Sequence, residues 1–371
     1  MVCPSQTEPL DVPIRPAKNG GYLMINRLEL RNFRCFQHLD LSLKRFNILV
    51  GESGSGKTAF MESLFILGGG SPEIYFRIRN WRGYSRNVTF TGTRDQYQSL
   101  FRDLFYRFNQ EEGVVLRSVD DRYGSRQLDI AYGEIEDYGL DLEGPSPHAF
   151  KISPINFKWI IDGVVHNTSA SIKEGKFSFS GAAPVAPVSY YNSVNLSVFE
   201  NVSAFSSLSK HYRADSLVEA IAAIYPQVKG ITLELVSGDA VLCADVGLNE
   251  KVPIGELSGG ISKFATYALG ILANPRGVVL IDEIEDGVYY KNMPDVWRSL
   301  VAMALREEVQ LIVSTHSYEF LQSAAPILAR EEIAKESQLL RAEIDKDGNS
   351  VIRKIAAPAL EAATSRDFEV R

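Results

Sequence analysis

Gly51-Glu52-Ser53-Gly54-Ser55-Gly56-Lys57-Thr58 decides the fold of this 371-residue chain. The run leading into it, LDLSLKRFNILVG (39–51), alternates and carries apolar residues as a strand does. The run leaving it, TAFMESLFIL (58–67), places Phe60, Leu64 and Leu67 at helical spacing. Strand, glycine loop and helix in that order give G-x-x-x-x-G-K-[ST] the context it requires. Gly51, Gly54 and Gly56, with Ser53 and Ser55 between them, let backbone N–H groups turn inward around phosphates, and the helix start adds its positive dipole. Lys57 then reaches the β- and γ-phosphates and the Thr58 hydroxyl suits Mg²⁺, so Mg-ATP is the implied ligand. A chance glycine-rich turn is the plainer alternative; strand, helix, Lys and Thr together argue against it.

Three further segments supply partners for that loop. GVVLIDEIEDG (277–287) is an apolar strand ending in Asp282-Glu283. In a phosphate-loop protein a strand-end Asp holds Mg²⁺, and a following Glu polarises the water that attacks the γ-phosphate. Glu285 and Asp286 extend the acidic run and suit a dimer-facing loop better than a metal site. Leu257-Ser258-Gly259-Gly260 opens a helix read over Lys263–Ala273; a serine and glycines at a helix start make a second anion site, or simply an N-cap. VQLIVSTHS (309–317) ends a strand at His316, where an imidazole can hydrogen-bond the γ-phosphate and the attacking water. Lys57, Glu283 and His316 are thus the candidate catalytic groups.

Composition bounds the rest. With 45% hydrophobic residues the chain can furnish a full core. No stretch approaches the roughly 20 apolar residues that span a bilayer, and Met1–Tyr22 is polar and proline-bearing, so a cytoplasmic protein with a disordered tail over residues 1–22 is expected. Cys3, Cys35 and Cys243 are odd in number and far apart, which suggests neither disulfides nor zinc. A net charge of −7 argues against wholesale coating of nucleic acid. FRIRNWRGYSR (76–86) is the local exception: Arg77, Arg79, Arg82 and Arg86 around Trp81 and Tyr84 suit a nucleic-acid strand or an acidic partner, or form a solvated face.

The expected architecture is α/β: a phosphate-loop ATPase with a mixed, mainly parallel central sheet, helices on both of its faces, and a β-rich inserted lobe over about 70–205 within one domain spanning 23–371. SLFRDLFYRF (99–108) reads as helix; VVLRSV, FKWIIDGVVHN, KFSFS and VSYYNS read as strands of that lobe. DSLVEAIAAIYP (215–226) reads as a helix capped by Asp215 and ended by Pro226, and QLLRAEIDKDGNSVIRKI as a hairpin turning at Asp347-Gly348.

The whole motif set resembles the non-transporter branch of the ATP-binding-cassette superfamily, the RecF, SMC and OLD type ATPases, from about Met24 onward. INRLELRNFRCF resembles that branch's first strands, and PIGELSGG, GVVLIDEIEDGVYY and VQLIVSTHS its carboxyl half. The resemblance implies a fold of the ATP-binding-cassette type, Arg34 approaching the phosphates, and Ser258–Gly260 completing the site of the opposite copy, so that ATP glues a homodimer or higher oligomer. It departs from the branch in having Ser53 where Asn is common, and Val288-Tyr289 where a His follows the acidic loop. The glutamine used near Mg²⁺ falls about at Asn192 or Ser193, with Asn192 the candidate ligand. Because the sequence runs about 55 residues past His316, the resemblance further implies a separately encoded effector, a nuclease or toxin, as in two-gene phage-defence systems such as PARIS. Rival readings are a RecF-like repair clamp on DNA, an SMC-like clamp, against which the absence of heptads speaks, and a transporter ATPase, against which LSGGI and Asp-Glu-Ile speak.

Overall fold

Two kinds of strand are visible in the burial of alternate residues. β1 (Ile25–Phe33) and β2 (Phe36–Ser42) form a hairpin, and β3 (Phe46–Val50) leads through the glycine loop into α1 (Lys57–Gly68), α2 (Glu73–Trp81) and α3 (Arg94–Phe101). β4 (Val114–Asp120), β5 (Gly124–Tyr132), β6 (Ile155–Ile161), β7 (Val164–Lys173) and β8 (Lys176–Ser180) follow as a meander. Next come β9 (Val188–Tyr191), α4 (Val198–Lys210), α5 (Ala214–Ala222) and a small sheet of β10 (Gly230–Val236), β11 (Asp239–Asp245) and β12 (Val252–Pro253). The carboxyl half is α6 (Gly259–Leu272), β13 (Val278–Ile281), α7 (Met293–Arg306), β14 (Gln310–Ser314), α8 (Tyr318–Leu328), α9 (Glu331–Ala334), β15 (Ser337–Ile344) and β16 (Ser350–Ile355). This computed structural model describes residues 24–84, 94–121, 124–133, 153–173, 176–192 and 198–355; the expected tail, Arg86 and Ser193 lie outside them.

β3, β13 and β14 are buried at every residue, as strands covered on both faces must be. They form the centre of a sheet ordered β16-β15-β3-β14-β13-β9, parallel except for the β15–β16 hairpin. Alternate side chains split its core. Ile48, Val279, Ile281, Leu311 and Val313 face α6, α7 and α8. Leu49, Val278, Leu280 and Ile312 face α1. β1 and β4–β6 instead alternate buried and exposed, and pair as a seven-stranded antiparallel sheet, β2-β1-β4-β5-β6-β7-β8, among the described residues. Its inner face meets α1 from the other side, so the loop-bearing helix lies between two sheets and is buried from Phe60 to Gly68.

Several expectations change here. β4–β8 do not fold as an inserted lobe apart from the first strands: β4 takes the free edge of β1, with Leu30 opposite Leu116, and Val114 and Leu116 join the same core as Leu28 and Leu30. VSYY belongs to the parallel sheet, as β9 beside β13. The run 99–108 is helical only to Phe101; two short 3-10 turns follow, and Arg107 and Phe108 have positive φ. α5 begins at Ala214, with Asp215 in its first turn and Arg213 at the cap, and ends at Ala222 before Pro226. α6 starts at Gly259, four residues before the expected Lys263. Among the described residues no helix is long and apolar enough to cross a membrane.

Arg126 fastens the two sheets through α1. Buried on β5, it donates to Leu67 O at 2.5 Å and Gly69 O at 2.6 Å, carbonyls at the end of the helix, and to Pro184 O in the segment before β9. Arg126→Met leaves those buried acceptors unpaired and is expected to lower unfolding stability by about 2–4 kcal/mol in denaturant titration. A loss under about 1 kcal/mol would show that α1 does not depend on this clamp.

Candidate functional site

The site forms where the carboxyl ends of the parallel strands meet the start of α1. Gly51, Gly54 and Gly56 have φ of 145°, 81° and 108°, a conformation that side chains with a Cβ resist. Space is as tight as conformation: a Cβ on Gly51 would lie 2.2 Å from Ala342 O, and one on Gly56 3.0 Å from Cys35 Sγ. Lys57 Nζ donates to Gly51 O and Glu52 O at 2.8 and 2.9 Å, holding the ammonium over the loop. Burial pushes this lysine below its ordinary value, against the opposing pull of Asp282, Glu283 and Glu285.

Asp282, buried at the end of β13, is the hub. Its carboxylate accepts from Thr58 Oγ1 at 2.8 Å, from Tyr190 OH at 3.1 Å and from the Ser314 hydroxyl. Burial and the adjacent carboxylate push the Tyr190 hydroxyl well above its usual value, so it stays a donor. Glu283 has φ 55°, and its N–H donates to Ser314 Oγ at 2.9 Å. This bent backbone sets its carboxylate on the cavity, with Oε1 4.0 Å from His316 Nε2. His316 N in turn donates to Glu285 Oε1 at 2.7 Å, which gives Glu285 a positioning role.

One cavity of about 520 Å³ is lined by Ser53, Gly54, Gly56, Lys57, Thr58, Asp282, Glu283 and His316 together with Arg34. Arg34 is buried and paired with Glu62 at 3.0 Å and Asp103 at 3.6 Å, while its Nε and Nη2 have no hydrogen-bond partner. A lining arginine with two buried, unpartnered guanidinium nitrogens fits an anion. Gly51 and the buried Ser55 do not line this cavity. Asn192 follows β9 and hydrogen-bonds Tyr190, one residue removed from the Asp282 carboxylate. Ser258, Gly259 and Gly260 do not join the cavity. Ser258 is exposed at the start of α6, Gly259 and Gly260 lie against Gly287, and Lys263 pairs with Asp286.

The arginine-rich segment is paired within the chain. Arg77 pairs with Glu200 and lies over Phe65 and Trp81, Arg79 donates to Leu100 O at 2.7 Å, and Arg82 pairs with the buried Glu62 at 2.7 Å. These three arginines are therefore paired with acids, carbonyls and rings of their own chain, while Arg77 and Arg82 stay exposed. Tyr190, Ser314, Glu62 and Asp103 are the site residues that sequence reasoning missed; only the position of Ser314 at the end of an apolar strand beside His316 hinted at one of them.

Residues 24–135 match a family described as an AAA ATPase domain, and residues 193–322 one described as "AAA domain, putative AbiEii toxin, Type IV TA system". An ATP/GTP phosphatase of Helicobacter pylori is 21% identical over 349 residues, 85% of this chain and 91% of that protein. The DNA replication and repair protein RecF of Haemophilus ducreyi is 49% identical over 110 residues, and the match spans 29% of this chain and 30% of that RecF. A solved Smc head domain with an extended coiled coil, bound to the C-terminal domain of ScpA and derived from Pyrococcus furiosus, has a TM-score of 0.50 at 12% identity, covering 94% of this chain and 100% of that one. The fold is α/β and like that of an SMC head. The matches support ATP hydrolysis as the activity.

The lowered Lys57 gives a pH test. Phosphate favours the charged ammonium, so binding takes up a proton wherever the free site has begun to lose one. ATP affinity is expected to be flat while Lys57 is fully protonated. It should then fall by up to about tenfold per pH unit as pH rises through the lowered value. Calorimetry in buffers of different ionisation enthalpy reads that uptake; affinity that stays level well into the alkaline range contradicts it.

Proposed function

We propose that this chain binds Mg-ATP, hydrolyses it between two head-to-tail copies, and through that cycle switches a separately encoded effector, a nuclease or toxin, in cytoplasmic defence against phage. The observation that carries the nucleotide reading is the 2.8 Å contact of Thr58 Oγ1 with Asp282 Oδ2, with Glu283 and His316 on the same cavity. The separation of Ser258–Gly260 from that cavity supports the two-copy reading: an exposed serine at a helix start is available to a second molecule's nucleotide.

The residues divide the work by position. Lys57 and the loop N–H groups take the β- and γ-phosphates, and Arg34 offers its unpartnered nitrogens to the same anion. No cluster of three His, Cys, Asp or Glu gathers among the described residues, so Mg²⁺ would be held by Thr58 and Asp282 with phosphate oxygens and water, as that ion prefers. When bound it neutralises charge on the transferred phosphoryl group. Tyr190 and Ser314 orient the Asp282 carboxylate, with Asn192 behind Tyr190. Glu283 orients and deprotonates the attacking water, and His316 beside it contacts the γ-phosphate.

The effector reading is supported by the match of residues 193–322 to a family described with a toxin of a toxin–antitoxin system, together with the resemblance to OLD-type ATPases. The RecF matches favour a second reading, an ATP-dependent clamp on duplex DNA. Glu283→Gln is expected to keep ATP binding, slow turnover roughly 100- to 10,000-fold and trap a dimer, whereas Lys57→Ala should lose binding. Size-exclusion chromatography with light scattering, with and without Mg-ATP, separates these. A Glu283→Gln protein that stays at monomer mass in Mg-ATP defeats the two-copy site. ATP-dependent retention on duplex DNA, with no co-purifying protein, moves the clamp reading ahead.

A further inference from the structure

The cavity has two chemically different ends. Lys57, Thr58, Asp282 and Glu283 make one. The other is walled by Cys35, Phe105, Tyr106, Arg107, Phe108 and Gly348, which the hydrolytic reading leaves unused. This second wall is built from parts distant in sequence. Arg34 N donates to Leu104 O at 2.9 Å and Phe33 bridges to Phe105, so the 105–108 turn is sewn to the bend between β1 and β2. From the far side the tip of the β15–β16 hairpin closes on it: Tyr106 OH donates to Asn349 Oδ1, and Arg107 Nη2 to Asp347 O at 3.1 Å. Behind it, Phe105 stacks on Tyr132 with ring centroids 5.9 Å apart and planes 16° off parallel.

Arg107 and Phe108 sit at φ 48° and 61°, two successive left-handed residues without a glycine between them. Side chains with a Cβ resist that backbone, and it persists where the surroundings over-determine it, most often around ligands. The turn brings cations and rings together: Phe108 remains 53% exposed, with Arg102 over one ring face at 4.4 Å from its centroid, and Arg107 lies over Tyr106 at 5.2 Å.

The geometry points to a nucleobase subsite: the Phe105–Phe108 turn, seated against the β15–β16 tip, takes the flat base of the nucleotide whose phosphates rest on Lys57 and Thr58. This rests on the phosphate reading of the other end. The polar ends of Tyr106 and Arg107 are turned onto the hairpin, so the wall presents faces rather than donors that read a base edge. The subsite accordingly holds the base by stacking and discriminates little between adenine and guanine, since every base has a π-face.

The test is the full chain with Phe108→Ala, titrated with ATP, GTP and inorganic tripolyphosphate, which has the phosphates and no base. Loss of one aromatic stack is expected to weaken ATP and GTP alike by about 5- to 100-fold and to leave tripolyphosphate unchanged. Phe108→Tyr, which keeps a ring, should restore binding to within about threefold of wild type. Unaltered ATP binding in Phe108→Ala, or an equal loss of tripolyphosphate, overturns the subsite alone. A wild type that binds neither ATP nor tripolyphosphate removes the phosphate reading and the subsite with it.

Discussion

The Asp282 carboxylate is the constraint on which the rest of the structure depends. A buried carboxylate without donors is strongly disfavoured, and this one is reached by hydroxyls from three directions: Thr58 at the start of α1, Tyr190 on β9 and Ser314 at the end of β14. Those hydroxyls can converge only if β9, β13 and β14 lie side by side, parallel and in register, with α1 starting over their carboxyl ends. The sheet order meets that demand, with Ile281 opposite both Tyr191 and Val313. A crevice at the carboxyl ends of parallel strands is where open α/β sheets hold ligands, and here one acid marks its floor.

α1 must then be held still, since it carries both the lysine and the hydroxyl. Apolar packing fixes its sides: Phe60, Leu64 and Leu67 lie in the core shared by the two sheets. Polar ties fix its length. Arg126 takes the carbonyls at its end, and Glu62, one turn along from Thr58, binds Arg34 and Arg82 together. Burial pushes the Glu62 carboxyl up while the two arginines pull it down, which is the balance expected of a buried acid that stays in place by being paired. The antiparallel sheet is thus the second jaw of a clamp on the glycine loop.

How legible was this in the sequence? The glycine loop, the strand ending in Asp282-Glu283, His316 and the turn at Asp347-Gly348 all rest on local pattern, and the structure has strands, helix and turn at those places. What local pattern cannot express is pairing at a distance. Tyr190 sits 92 residues from the aspartate it serves, and nothing in VSYY distinguishes a core tyrosine from one that holds a carboxylate. β5 is not singled out, and β4 and β6–β8 read as strands but not as the continuation of β1, because strand order depends on edges and not on periodicity. The arginines of 76–86 looked like a surface feature since their partners, Glu62, Leu100 and Glu200, are scattered along the chain. Left-handed Arg107 and Phe108 carry no glycine to announce them.

The loop after Asp282 joins the hydrolytic groups to the exposed serine turn, and its bonding shows how firmly. Glu283 N and Ile284 N donate to the hydroxyl and the carbonyl of Ser314, Glu285 accepts from His316 N, Asp286 pairs with Lys263, and Gly287 packs on Gly259. Within six residues the chain passes from the acid beside the phosphate loop to the start of α6, with a tie at nearly every step. The strand end that carries His316 is therefore bonded to this loop at several points. Glu285 meets His316 on one side of the loop, and Asp286 and Gly287 meet Lys263 and Gly259 on the other. The exposed serine turn is thus tied, through this one loop, to the strand ends that carry Asp282 and His316.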